Sequence, residues 1–162
     1  MHANVSGPHK KPLKQWDKNQ EPPVCPVCHT KSVMSITKFG VTWVCRNEPG
    51  GKDCDTRVGC HKGTNIPLGT MAGAELRKFR SIAHDNFDFL WTHFIYELNI
   101  TKHEARNETY NWLAEELKIP TKDCHIALFD IETCRRVAAI CNPIKQKIKD
   151  ELRNAKRKSC TN

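Results

Sequence analysis

The stretch CPVCHTKSVMSITKFGVTWVC, residues 25–45, decides the fold. It opens on Cys25-Pro26-Val27-Cys28 and closes on Cys45, with Cys54 eight residues further on. Between the cysteines, Val33-Met34-Ser35-Ile36-Thr37 and Val41-Thr42-Trp43-Val44 are rich in β-branched residues. They flank Lys38-Phe39-Gly40, which predicts a β-hairpin. Residues 46–53, RNEPGGKD, are turn chemistry, and residues 55–60 offer a third short strand. A C-x-x-C turn aims two thiolates at one point, and a hairpin returns two more to the same place. Four sulfur donors in a tetrahedron are what zinc takes. The expected ligands are therefore Cys25, Cys28, Cys45 and Cys54, forming a zinc ribbon with a long second knuckle. Cys60 and His61 compete with Cys54 for the fourth position, and His29, directly after Cys28, is a poorer candidate. A redox C-x-x-C would stand at a helix start in a βαβ pattern, which this segment lacks. So small a β unit cannot bury enough apolar surface to fold alone, so metal binding becomes folding energy.

Outward from the ribbon, the hydrophobic period turns helical from Gly69. Leu76, Phe79, Ala83, Phe87, Leu90, Trp91, Phe94 and Leu98 recur at steps of three and four, which predicts a helix over about 71–98. Thr101 and Glu104 make a capping box that opens a second helix to about 118, with Ala105, Thr109, Trp112, Leu113 and Leu117 inward. A turn follows near 121–125. Asp130 caps a third helix bearing Ile131, Cys134, Val137, Ala138 and Cys141, which Asn142-Pro143 should stop. A thin, Lys-rich fourth helix from Pro143 to about Lys158 should fray. The expected class is α+β: an N-terminal zinc ribbon packed on a three- to four-helix unit, with basic disordered or frayed tails. The expected division is a basic disordered lead-in at 1–24, the ribbon at 25–68, a helical domain at 69–142 and a basic C-terminal helix or tail at 143–162.

The composition narrows the function classes. In 162 residues the net charge is +8, of which residues 1–24 carry +2 and residues 143–162 carry +5. Basic ends attract polyanions through counterion release without reading sequence. Nine cysteines, an odd number, do not suit a disulfide scaffold. Cys134 and Cys141 share an apolar helix face and read as buried small hydrophobes. The first 24 residues hold no apolar stretch of secretory length, and no run has the roughly 18 residues of a membrane span. The expected location is the cytoplasm, a host's if the source is viral, with no membrane partner.

The ribbon resembles those at the C-terminus of bacterial type I topoisomerases, on the C-P-x-C knuckle Cys25–Cys28, the Lys38-Phe39-Gly40 hairpin and Trp43-Val44-Cys45. His29 departs from the Gly that usually follows that knuckle. The stretches Val58–Trp91, Tyr110–Pro120 and Cys124–Val137 are similar to a zinc-finger-containing family of bacteria and their phages whose role is uncharacterised. The resemblance covers about residues 25–140 and implies a ribbon followed by helices, with no activity attached. Topoisomerase-like ribbons hold single strands with exposed aromatics and nearby cations. The resemblance thus points to Lys38, Phe39, Trp43, Arg46 and Arg57, with Lys31, as a nucleic-acid surface, the alternative being that Trp43 packs on the adjoining helix and Phe39 fills a turn.

Arg77, Arg80, His84 and Asp88 recur at helical spacing, with His61 and His125 in polar contexts. They offer either a buried polar network or, at the weakest, an enzyme using His84 and Asp88. No P-loop, H-E-x-x-H or deaminase signature supports catalysis. The expected function is a zinc-dependent, non-enzymatic nucleic-acid-binding accessory protein of little sequence specificity, with single-stranded DNA favoured. The alternative is a protein-interaction module acting on a protein of nucleic-acid metabolism, or a phage-type modulator of host machinery or defence.

Overall fold

The computed structural model describes residues 17–46 and 54–159. It is α+β, with three antiparallel strands followed by three helices. The chain divides into two compact units, one ending at Ala74 and the other beginning at Glu75.

In the first unit, β1 (Val33–Thr37) pairs with β2 (Gly40–Val44), and β2 with β3 (Arg57–Gly59). Only Lys38 and Phe39 connect β1 to β2. Gly40 takes φ 128°, a conformation L side chains rarely adopt, and so lets so short a loop close. The register sets Met34 opposite Trp43, and Trp43 opposite Val58. Alternation along the strands puts these on one face, where Trp43, Val58 and Met71 form a small core with Cys25 and Cys45. The chain then doubles back along β3. Arg57 and Ala72 exchange two backbone hydrogen bonds of 3.1 and 2.9 Å, and Leu68 N donates to Gly59 O. Buried Asn65 organises that return. Its side-chain oxygen accepts from Asp17 N (3.0 Å), its amide donates to Asp17 O (2.8 Å), and its carbonyl accepts from Trp43 Nε1 (2.9 Å).

These bonds correct the expected disordered lead-in for its last residues. Asp17 is held by the Asn65 amide, and Ser32 N donates to Pro23 O. The rest of the lead-in, residues 1–16, and most of the 46–53 turn lie outside the described residues.

The second unit contains α1 (Ala74–Leu98), α2 (Lys102–Leu117) and α3 (Ile131–Ser159), with two 3-10 turns at Thr121–Asp123 and Ile126–Leu128. The shared core takes Ala83, Phe87 and Leu90 from α1, Leu113, Ala114 and Leu117 from α2, and Cys134, Val137, Cys141 and Ile148 from α3. Phe87 packs on Tyr110 with ring centroids 4.4 Å apart. Thr109 is tolerated inside because its hydroxyl donates back to Ala105 O at 2.7 Å. Polar ties join the elements: Arg80 Nε donates to Phe129 O, Arg136 to Leu117 O at the end of α2, and Lys145 to Asp85 O. Among the described residues no helix is long and apolar enough to cross a membrane.

The expected stop at Asn142-Pro143 is not there: α3 runs through Pro143 to Ser159. Proline deletes one helical donor and crowds the preceding turn. Here the apolar stripe of Cys134, Val137 and Cys141 continues across it to Ile144 and Ile148, both packed on the core. Burial on both sides of the proline outweighs its local cost. The expected fourth helix is the second half of α3, which is packed on the core as far as Ile148 and exposed from Asp150 to Lys158.

The start of α2 formed as its sequence indicates. Thr101 N donates to Glu104 Oε2 (2.9 Å), and Glu104 N donates to Thr101 Oγ1 (3.3 Å). Thr101→Ala strands the Glu104 N–H and should cost about 1 kcal/mol, the usual loss for such a cap. Chemical denaturation should show a lower midpoint at an unchanged slope. An unchanged midpoint would mean the cap is redundant with the core contacts of Ala105 and Thr109.

Candidate metal centre

The first pair of thiols stands on a turn that the backbone closes on itself. His29 N donates to Cys25 O and Cys25 N to Thr30 O, each at 2.9 Å. Inside this turn the N–H groups of Val27 and Cys28 point at Cys25 Sγ, at 3.4 and 3.3 Å. His29 sits in the left-handed region at φ 55°, the conformation that favours glycine there. The second pair is brought by the sheet. Cys45 follows β2 and donates its N–H to Thr56 O at 2.9 Å, while Cys54 stands just before β3.

The four ligand atoms lie within 4.8 Å of one another, with Cys25 and Cys54 at 3.6 Å. A regular tetrahedron of sulfurs about 2.3 Å from zinc has edges of about 3.8 Å. Closing this group on an ion therefore takes a contraction of about 1 Å at most. Cys25 and Cys45 are buried, Cys28 and Cys54 partly so. The set fits zinc in donor type, number and spacing, and a fourfold thiolate shell leaves no open position for catalysis.

Two threonines surround the sulfurs, and the sequence reading missed both. Thr56, only 4% exposed, places its hydroxyl 2.9 Å from Cys25 Sγ and 3.3 Å from Cys54 Sγ. The Thr30 hydroxyl lies 3.6 Å from Cys45 Sγ. Each follows a cysteine by two positions, Cys28-His29-Thr30 and Cys54-Asp55-Thr56. That repeated C-x-T was the available signal.

These donors split the thiol acidities. Burial pushes the Cys25 thiol up, but the Thr56 hydroxyl and the Cys28 and Val27 N–H groups outweigh it and bring it down to about 6. Cys54 is lowered chiefly by the Thr56 hydroxyl and then by the Thr56 backbone. Cys28 is pushed up to about 12, first through its hydrogen bond to Cys54 and then by burial. Burial raises Cys45. Without a metal the group keeps protons to share among its sulfurs, so metal binding must release them.

The competitors for the fourth position are elsewhere. Cys60 bridges to Pro67 and is not within the four-sulfur group, and neither His61 nor His29 joins it. Cys124, Cys134 and Cys141 are buried in the helical core, where burial raises all three thiols.

The expected nucleic-acid residues separate. Lys38, Phe39, Arg46 and Arg57 are exposed, with Phe39 at 89% and Lys38 Nζ 5.0 Å from its ring centroid. Trp43 is a correction. It is 5% exposed and its indole N–H is spent on Asn65 O, so its ring fills the ribbon core and is closed to a base. Trp43 and Val58 stand opposite each other in the register, on the other face from half-buried Thr42. Lys31 lies 3.7 Å from Glu21, which offsets its charge.

The residues of the helical polar cluster also part company. Arg80 Nε caps Phe129 O at 3.0 Å. Asp88 accepts from Trp91 Nε1 at 2.7 Å and sits 3.8 Å from His84 Nδ1. Burial raises the Asp88 carboxyl, but His84, Trp91 and Arg106 together lower it. His125 stacks near Tyr110, with ring centroids 5.4 Å apart, rather than joining His84.

Residues 23–144 match a family described as a zinc-finger-containing domain. Neither the curated proteins nor the solved structures contain a match.

Proposed function

The chain belongs to that family of zinc-finger-containing domains, and from this premise we propose that it is a zinc-stabilised binding protein whose ribbon holds single-stranded nucleic acid with little sequence preference. Zinc supplies the cross-link that orders residues 25–60, and the exposed side of the ribbon does the binding. The observation that carries the reading is Phe39. A phenylalanine 89% exposed at the tip of a two-residue hairpin loop contributes nothing to the core. Its ring face suits an unpaired base, since stacking is indifferent to base identity. Lys38 beside it, with Arg46 and Arg57 exposed on the same small sheet unit, supplies charge for the backbone. The likeness to topoisomerase ribbons supports the same use. The reading is of binding rather than catalysis, because the four thiols saturate a metal and His84 and Asp88 serve local structure.

Fluorescence anisotropy of a labelled single strand, titrated at several salt concentrations, tests this. Phe39→Ala should weaken binding by about 1–3 kcal/mol with the salt slope unchanged, as expected for one stacked base. Arg57→Gln should flatten the log–log salt slope by about 0.7, the share of one phosphate contact on a single strand. Equal affinity of wild type and Phe39→Ala would remove the ribbon tip from the interface. Failure of the wild type to bind at all would favour the protein-interaction reading instead.

A further inference from the structure

An open depression of about 740 Å³ lies on the surface of the helical unit, between α2 and the segment carrying the 3-10 turns, lined mostly by exposed side chains. Its volume lies in the range of small-molecule sites. Lys102, Arg106 and Tyr110 line it at successive turns of one α2 face, and Asn111, Thr121 and His125 complete the part used here. None of its nine lining residues is acidic.

Both cations rest against aromatic rings. Lys102 Nζ stands 5.2 Å from the Trp91 ring centroid, and the Arg106 guanidinium lies 5.9 Å from Trp91 and 5.8 Å from Tyr110. Aromatic planes hold both charges without neutralising them. Asp88 on α1 lies close enough for Arg106 to help lower its carboxyl, and it also accepts from Trp91 and sits beside His84. Arg106 Nε and Tyr110 Oη are buried and make no hydrogen bond of full geometry among the described residues, although the Arg106 side chain and the Ile126 backbone lie close enough to the phenol to draw its pKa back down against burial. Buried donors are nearly always paired in native proteins. Burial also pushes the Tyr110 phenol up, which keeps its proton available for donation. Two cations suit a doubly charged oxyanion, and guanidinium is the side chain shaped for phosphate. The depression is far larger than an inorganic ion, and its amide, hydroxyl and imidazole groups suit an attached organic body.

We propose that this depression binds a small organic phosphate of nucleoside-monophosphate size, with Lys102 and Arg106 on the phosphate and Asn111, Thr121 and His125 around the organic part. The site lies wholly on the helical unit and does not rest on the reading of the ribbon.

Isothermal titration calorimetry of the full zinc-loaded chain with adenosine 5′-monophosphate, adenosine and inorganic phosphate tests it. The monophosphate should bind and adenosine should bind at least about tenfold more weakly, the size of effect a charge-assisted hydrogen bond carries. Arg106→Gln should weaken the monophosphate about tenfold, and Arg106→Lys should recover part of the loss by restoring the charge. Lys102 is exposed, so Lys102→Gln, expected to weaken binding about fivefold, keeps the test valid should Arg106→Gln fold poorly. Phe39→Ala should bind the monophosphate as wild type does, which separates this site from the ribbon. No binding of the monophosphate at millimolar concentration, or an unchanged affinity in Lys102→Gln, would overturn the proposal. Inorganic phosphate or adenosine binding as tightly as the monophosphate would overturn it too.

Discussion

Cys25→Ser and Cys45→Ser should each release the zinc and unfold residues 25–60, leaving the helical signal in place. The expected effect is large because metal binding here is folding. Structural zinc in small domains contributes on the order of 10 kcal/mol, and the ribbon core of Trp43, Val58 and Met71 is too small to replace it. Cys25 is the severest position. Its Sγ collects the Val27 and Cys28 N–H groups and the Thr56 hydroxyl, so its loss disorders the knuckle as well as the metal shell. The helices should survive because their core contains none of the four sulfurs. Elemental analysis of purified protein and an amide-resolved NMR spectrum measure both halves of the expectation. One zinc per chain retained in both variants would refute it. Cys60→Ser should keep the metal, since that thiol stands outside the four-sulfur group. Affinity should also fall as the pH is lowered, because protons compete with the metal for thiolates.

The second large effect is expected in the helical core. Phe87 on α1 and Leu113 on α2 are fully buried in the same core. Truncating Phe87 to Ala removes its tilted contact with Tyr110 and leaves a cavity beside Leu90 that rigid helices cannot close. A loss of roughly 3–5 kcal/mol is expected for Phe87→Ala and roughly 2–5 kcal/mol for Leu113→Ala. Tyr96→Ala provides the contrast. It lies on the same helix as Phe87 but is 80% exposed, so its change should stay within about 0.5 kcal/mol. Denaturant midpoints of the three variants decide the matter. A Phe87→Ala midpoint equal to that of Tyr96→Ala would show that the buried face has been misassigned. For a unit of this size the larger losses approach the whole stability of a marginal domain.

What the residues alone determined was local. The two-by-two cysteine spacing, the β-branched runs around Lys38-Phe39-Gly40, the steps of three and four from Leu76 to Leu98 and the Thr101–Glu104 box each encode their element within a few positions. Such short-range patterns act through neighbouring backbone groups and single faces, so they can be read without knowing what lies across from them. The tertiary structure decided everything that depended on a distant partner. Trp43 suits either a stacking surface or a core, and only its pairing opposite Val58 and its bond to Asn65 O, 22 positions away, put it inside. Pro143 reads as a helix end, and only the burial of Ile144 and Ile148 against residues of other elements carries α3 past it. Asn65 and Thr56 look like ordinary polar residues until the fold buries them, one against the Asp17 backbone and the other between two sulfurs. The depression beside Lys102 and Arg106 likewise exists only because the chain after α2 turns back on that helix. Periodicity records which face of an element is apolar, whereas the choice of what covers that face is made by long-range packing, whose energy no local pattern contains.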